Sequence, residues 1–176
     1  MIRPVFLLFL ICCACTSPTK VDHEEWISLF NGKDLLGWTI KFANQDLGVN
    51  YRNTFRVQDS MIRIAYDTYD TFDNAYAHMY YKTPYSYYKL RFDYRFKGEQ
   101  VKGGEDWNIR NSGIMLHSQS AESNDYGQYF PVSIEIQLLG GLGEGDRTTG
   151  NVCTPGTALV MDGKVDYRHC ISSNSK

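Results

Sequence analysis

The strongest constraint on this chain is a pattern repeated along it: short runs of alternating apolar and polar residues, separated by turn pairs, with no sustained helical period. "YKLRFDYRF" sets Leu90, Phe92, Tyr94 and Phe96 against Lys89, Arg91, Asp93 and Arg95. "TFRVQDSMIRIAY" alternates Phe55 and Val57 with Arg56 and Gln58, turns at Asp59-Ser60, and resumes with Ile62 and Ile64. "SGIMLHSQ" and "SIEIQLLG" follow the same rule. Turn pairs stand at Asn31-Gly32, Lys97-Gly98, Gly103-Gly104, Gly140-Gly141 and Asp162-Gly163, built from residues that enter turn conformations at little cost. Successive side chains of a strand point to opposite faces, so each run offers one apolar face for burial. Many short strands with such turns predict an all-β fold, an antiparallel sandwich or jelly roll. At 176 residues the chain suits one domain with a core of its own.

The first residues, "MIRPVFLLFLICCACTSPTK", have the layout of an export signal: Arg3 gives the positive end, and residues 5–11 form an apolar stretch too short to cross a bilayer as a helix. Ala14-Cys15 resembles the lipobox of bacterial lipoproteins, in which the cysteine is lipidated after cleavage, although Cys12 stands where Leu is usual. The alternative is an ordinary cleaved signal peptide. The expected organisation is a signal over residues 1–15, a polar tether over 16–25 and a β-sandwich domain over 26–176. On that expectation the protein would be an exported lipoprotein of the bacterial cell envelope, held to the membrane by a lipid on Cys15. In an oxidising compartment Cys153 and Cys170 can form a disulfide. A catalytic thiol is the weaker alternative, because His169 adjoins Cys170 in sequence and neighbours in a strand point apart. A net charge of -2 and the lack of a basic stripe exclude a nucleic-acid partner.

Candidate site residues come from two of the runs. In "PVSIEIQLLGG", Glu135 and Gln137 share a face opposite Ile134, Ile136 and Leu138. In "NIRNSGIMLHSQ", Asn111, Gly113, Met115 and His117 share the face opposite Ile114 and Leu116. Asn111 and His117 are therefore expected to meet Glu135 and Gln137 across one concave sheet, where Gly113 leaves room for a ligand. A half-exposed sheet produces the same alternation with Glu135 merely solvated and His117 on the surface. Other motifs carry less. "GGLGEGDRTTG" lacks dinucleotide spacing, the Asp67, Asp70 and Asp73 series does not fit an EF-hand, and no Gly-x-Ser-x-Gly elbow occurs.

"WISLFNGKDLLGW" (residues 26–38), "YKLRFDYRF", "NSGIMLH", "SIEIQLLGG" and "GNVCTPGT" together resemble the bacterial 3-keto-disaccharide hydrolase family, from about Trp26 to the C-terminus. The resemblance implies a two-sheet jelly roll similar to concanavalin A-like lectins and glucanases, holding sugar on its concave face. Family members continue beyond the point matched by "HCISSNSK", so it also implies a domain incomplete at its C-terminus. The opening "FNGKDLLGW" is expected to serve the fold, with Trp38 packed in the sandwich.

Glucanases of this architecture carry Glu-x-Asp-x-x-Glu on one strand, and the same spacing here gives Glu135, Gln137 and Gly140. A two-carboxylate mechanism thus lacks its second carboxylate. The family resemblance implies another chemistry, in which a glycoside oxidised at C3 loses its acidified C2 proton, expels the C1 substituent and then adds water. It implies Glu135 as the base or as a ligand to an enolate-stabilising divalent metal, with His117 taking the other of these roles or protonating the leaving oxygen. Gln137 and Asn111 would hold sugar hydroxyls. Trp38, Trp107 or Tyr129 would stack on a ring or serve as core and loop anchors. Two further readings stand beside this one: a non-catalytic carbohydrate-binding lipoprotein, since lectins share the architecture, and an inactive truncated chain.

Overall fold

The computed structural model describes residues 25–172; the expected export signal, Cys15 and most of the tether lie outside the described residues. The described chain is all-β, with ten short strands: β1 (Trp38–Phe42), β2 (Phe55–Gln58), β3 (Met61–Ile64), β4 (Ala77–Tyr81), β5 (Asn111–Leu116), β6 (Ile134–Leu139), β7 (Asn151–Cys153), β8 (Leu159–Met161), β9 (Lys164–Asp166) and β10 (Cys170–Ile171). All pairings are antiparallel. The largest sheet runs β10-β7-β6-β5, and β1-β4, β2-β3 and β8-β9 form separate pairs, none of them closed.

Two hairpins follow directly from their turn residues. Asp59 and Ser60 sit at φ 52° and 56°, and Asp162 and Gly163 at φ 50° and 75°. Positive φ at both central residues is what a two-residue turn needs to match the twist of its strands. The opening "FNGKDLLGW" is tied locally as well. Asn31 Oδ1 accepts the backbone N–H groups of Lys33 and Asp34, and the Trp38 indole N–H donates to the Leu29 carbonyl at 3.0 Å. The Trp38 ring then meets Tyr81 edge-on at 5.3 Å.

The core gathers where β1 and β2 meet the loop before β4: Ile40, Phe42, Phe55, Phe72 and Ala75. Phe42 is fully buried, with Tyr51 and Phe55 edge-on at 6.0 and 5.7 Å, the arrangement that ring quadrupoles favour. On the opposite face of β1, Lys41 is buried but satisfied, its Nζ donating to the Phe42 and Gln45 carbonyls at 2.8 Å each.

One expected strand is corrected. Residues 88–96, "YKLRFDYRF", join no sheet, and Leu90, Phe92 and Tyr94 remain 41%, 43% and 49% exposed. Their alternation suits a pleated ribbon, but a strand also needs a neighbouring edge to take its backbone groups, and no described strand forms a ladder with this segment. Periodicity reports the faces of a segment and not the presence of a partner.

Candidate functional site

A cleft of about 3910 Å³ opens among the sheets, with Trp38 of β1, Ile62 of β3, His78 of β4, Phe92, Gly113 of β5 and Glu135 of β6 among its walls. That is several times the volume of an ordinary small-molecule site, so a sugar would occupy only part of it.

The register of the large sheet fixes which side chains share Glu135's face. Met115 pairs with Glu135 and Gly113 with Gln137 on the β5 side. Cys153 pairs with Glu135 and Asn151 with Gln137 on the β7 side. Asn111 pairs with Leu139, so Asn111, Gly113, Glu135 and Gln137 do share one face, and all four line the cleft. The face also carries the disulfide. Cys153 and Cys170 are bonded, with Cα atoms 4.0 Å apart, and are direct register partners across β7 and β10.

Glu135 is half-buried, and no hydrogen-bond donor among the described residues reaches its carboxylate. Met115 on one side holds its sulfur 3.3 Å from the Ser133 hydroxyl, and fully buried Cys153 stands on the other. With neither a cation nor a donor to favour the charged form, burial pushes the Glu135 carboxyl from its usual 4.5 up to about 7. A carboxyl poised there can both take and release a proton near neutral pH.

The space at Gly113 is not left open for a ligand, which corrects the expectation above. A Cβ built there would collide with Glu135 Oε1 and lie 2.7 Å from its Cγ and 2.8 Å from its Cδ. The Glu135 side chain itself therefore fills the notch that Gly113 leaves.

The other expected residues fall in different settings. His117 lies just past β5 at φ 49°, exposed, on the cleft wall. The Gln137 Oε1 accepts from Asn151 Nδ2 at 2.9 Å. Asn111 Nδ2 donates to the Trp107 carbonyl at 2.9 Å, fastening the one-turn 3-10 segment Asp106–Asn108 that carries Trp107. The Trp107 ring is half exposed on the cleft wall and stacks on Tyr76 at 6.0 Å with 4° between planes. Tyr129 is not part of the cleft wall; its ring leans on Tyr76 at 5.1 Å, the loop-anchor alternative. Trp38 reaches the cleft wall while its indole N–H is engaged within the fold.

Sequence reasoning passed over His78. It faces the cleft from β4, its Nε2 lies 2.8 Å from the Tyr129 carbonyl, and Phe130 packs edge-on at 6.1 Å. Burial lowers its pKa, so the ring is neutral at pH 7. The run "AYAHMYY" held the signal, because alternation puts His78 opposite Ala77 and Met79. Among the described residues no group of three or more His, Cys, Asp or Glu side chains converges as a metal site. Glu135 and His117, the expected ligands, are thus joined by no third such side chain among the described residues, and no step below runs through a metal ion.

No curated protein and no solved structure shows significant similarity to the chain. Residues 25–172, nearly the whole chain, match the family described as the 3-keto-alpha-glucoside-1,2-lyase-like domain. With one face of the large sheet presenting a half-buried, unpaired carboxyl to the cleft, the chain belongs to the 3-keto-alpha-glucoside-1,2-lyase-like domain family.

Proposed function

We propose that the protein cleaves 3-keto glycosides or 3-keto disaccharides by elimination, with Glu135 as the base. The observation that carries this reading is the Glu135 carboxyl, held near neutrality by burial on a cleft wall in a chain of this family. The C3 ketone acidifies the C2–H bond. Glu135 takes that proton, the electron pair passes into the enolate, and the C1–O bond then breaks as the C1=C2 double bond forms. His117, exposed on the same cleft, gives a proton to the departing oxygen. Water then adds, hydroxyl to C1 and hydrogen to C2, so the net reaction is hydrolysis. Gln137, whose Oε1 is held by Asn151, turns its Nε2 to a sugar oxygen, and Trp107 offers a ring face for stacking. Asn111 acts by holding the Trp107 turn.

The fold that goes with this reading is a two-sheet, concanavalin A-like jelly roll, with residues 26–176 as one domain. The lipobox-like Ala14-Cys15 supports export as an envelope lipoprotein. A second reading, a carbohydrate-binding protein without catalysis, is favoured by the number of rings on the cleft wall, among them Trp38, Tyr66, Tyr81, Tyr85, Trp107 and Phe130.

The test is aglycone release from a 3-keto glucoside by the wild type and by Glu135→Gln. Loss of a general base is expected to slow release about 10²–10⁴-fold. Full activity in the variant would remove Glu135 from the role, and wild-type binding with no turnover would favour the second reading.

A further inference from the structure

The geometry points to Gly113 as a positioning residue: its missing side chain is the socket that seats the Glu135 carboxyl against the sheet and away from solvent. This rests on the reading of Glu135 as the base.

Three observations carry it. The three heavy atoms nearest a Cβ at position 113 are Oε1, Cγ and Cδ of Glu135. No other residue competes for that volume at such range, so the notch is shaped to one side chain. Secondly, the contact is diagonal. Glu135's register partner is Met115, whereas Gly113 is the partner of Gln137, and diagonal neighbours on one face lie within reach of a long side chain. The direct positions are filled, by Met115 on β5 and by buried Cys153 on β7, which leaves the diagonal as the open direction. Thirdly, Gly113 is not in the left-handed region of backbone space, unlike Gly103 or Gly156. Glycine at 113 is therefore not demanded by the backbone, and the requirement is for space.

The side chains set beside Glu135 carry no charge: Met115 and Gly113 on β5, Gln137 on its own strand with Ser133 just before it, Cys153 and Asn151 on β7; the titratable His117 follows β5, exposed on the cleft wall. A carboxyl seated among them is desolvated with no compensating charge. Without the socket it must swing outward, where water stabilises the carboxylate. Gly113 would thus set the protonation behaviour of the base without touching substrate.

The experiment uses the full chain with Gly113→Ala. The Glu135 carboxyl is followed by carbon-detected NMR titration, assigned by the signal lost in Glu135→Gln. The midpoint is expected to fall by at least one pH unit toward 4.5, and the acid limb of kcat/KM on a 3-keto glucoside to move down with it. An unchanged titration in a folded Gly113→Ala protein would overturn the proposal. A rise in KM alone, with the midpoint fixed, would do so too, because it would make position 113 a substrate contact. Should Gly113→Ala fail to fold, adding Glu135→Ala removes the colliding atoms and is expected to restore folding; continued failure would refute the socket. The NMR arm needs no turnover, so an inactive wild type would count against the proposed reaction and leave the socket tested separately.

Discussion

The buried carboxyl of Glu135 makes a prediction about stability that is independent of any substrate. Its folded pKa, about 7, lies above the usual 4.5, so the folded state binds this proton more tightly than the unfolded state does. Below about pH 4.5 both states are protonated and Glu135 imposes no penalty. Between 4.5 and about 7 the unfolded chain ionises while the folded one holds its proton, and stability falls as pH rises; above about 7 the loss is complete. At 1.36 kcal/mol per pH unit the gap corresponds to roughly 3 kcal/mol, and screening at this partly exposed carboxyl reduces it to about 2 kcal/mol. Glu135→Gln keeps the shape and abolishes the titration. Urea unfolding of both proteins from pH 4.5 to 8, with the disulfide intact, should show the wild type losing about 2 kcal/mol relative to the variant, centred between pH 5 and 7. Parallel curves would refute the claim that Glu135 is desolvated without a partner.

The remaining predictions concern the frame. Phe42→Ala empties the centre of the core and is expected to cost about 3–5 kcal/mol, read as a lower urea midpoint. Cys170→Ser opens the Cys153–Cys170 link, whose partners are 17 residues apart; chain-entropy reasoning gives a loss of about 3 kcal/mol, visible as a lower Tm under oxidising conditions. Residues 88–96, lacking a ladder, should exchange their amide hydrogens much faster than β5 and β6 in a hydrogen-exchange experiment. Equal protection would contradict the lack of a strand ladder in that segment.

How far the sequence speaks depends on what each feature requires. The hairpins at Asp59-Ser60 and Asp162-Gly163 were legible because two residues decide them. The shared face of Asn111, Gly113, Glu135 and Gln137 was legible because period-2 alternation and one register determine it. The missing ladder at residues 88–96 was not, since strand pairing depends on distant chain. The occupant of the Gly113 notch was hidden for a similar reason: sequence shows that a side chain is missing, but the neighbour that fills the space is set by diagonal packing. His78 escaped notice because its significance comes from Phe130 and Tyr129, about fifty positions away. The assignment to a 3-keto-glycoside family rested on the resemblance of motifs such as "WISLFNGKDLLGW" and "NSGIMLH", and the match over residues 25–172 agrees with it.

The most direct test of the proposed elimination is the fate of the hydrogen at C2. A 3-keto glucoside is cleaved by the wild-type protein in heavy water, and early product is examined by NMR beside free 3-keto glucose held in the same solvent without protein. Elimination followed by water addition predicts deuterium at C2 in excess of that control, and loss of both label and release in Glu135→Gln. Product that keeps its original C2 hydrogen would contradict the account, because it would mean that the glycosidic bond breaks by direct displacement.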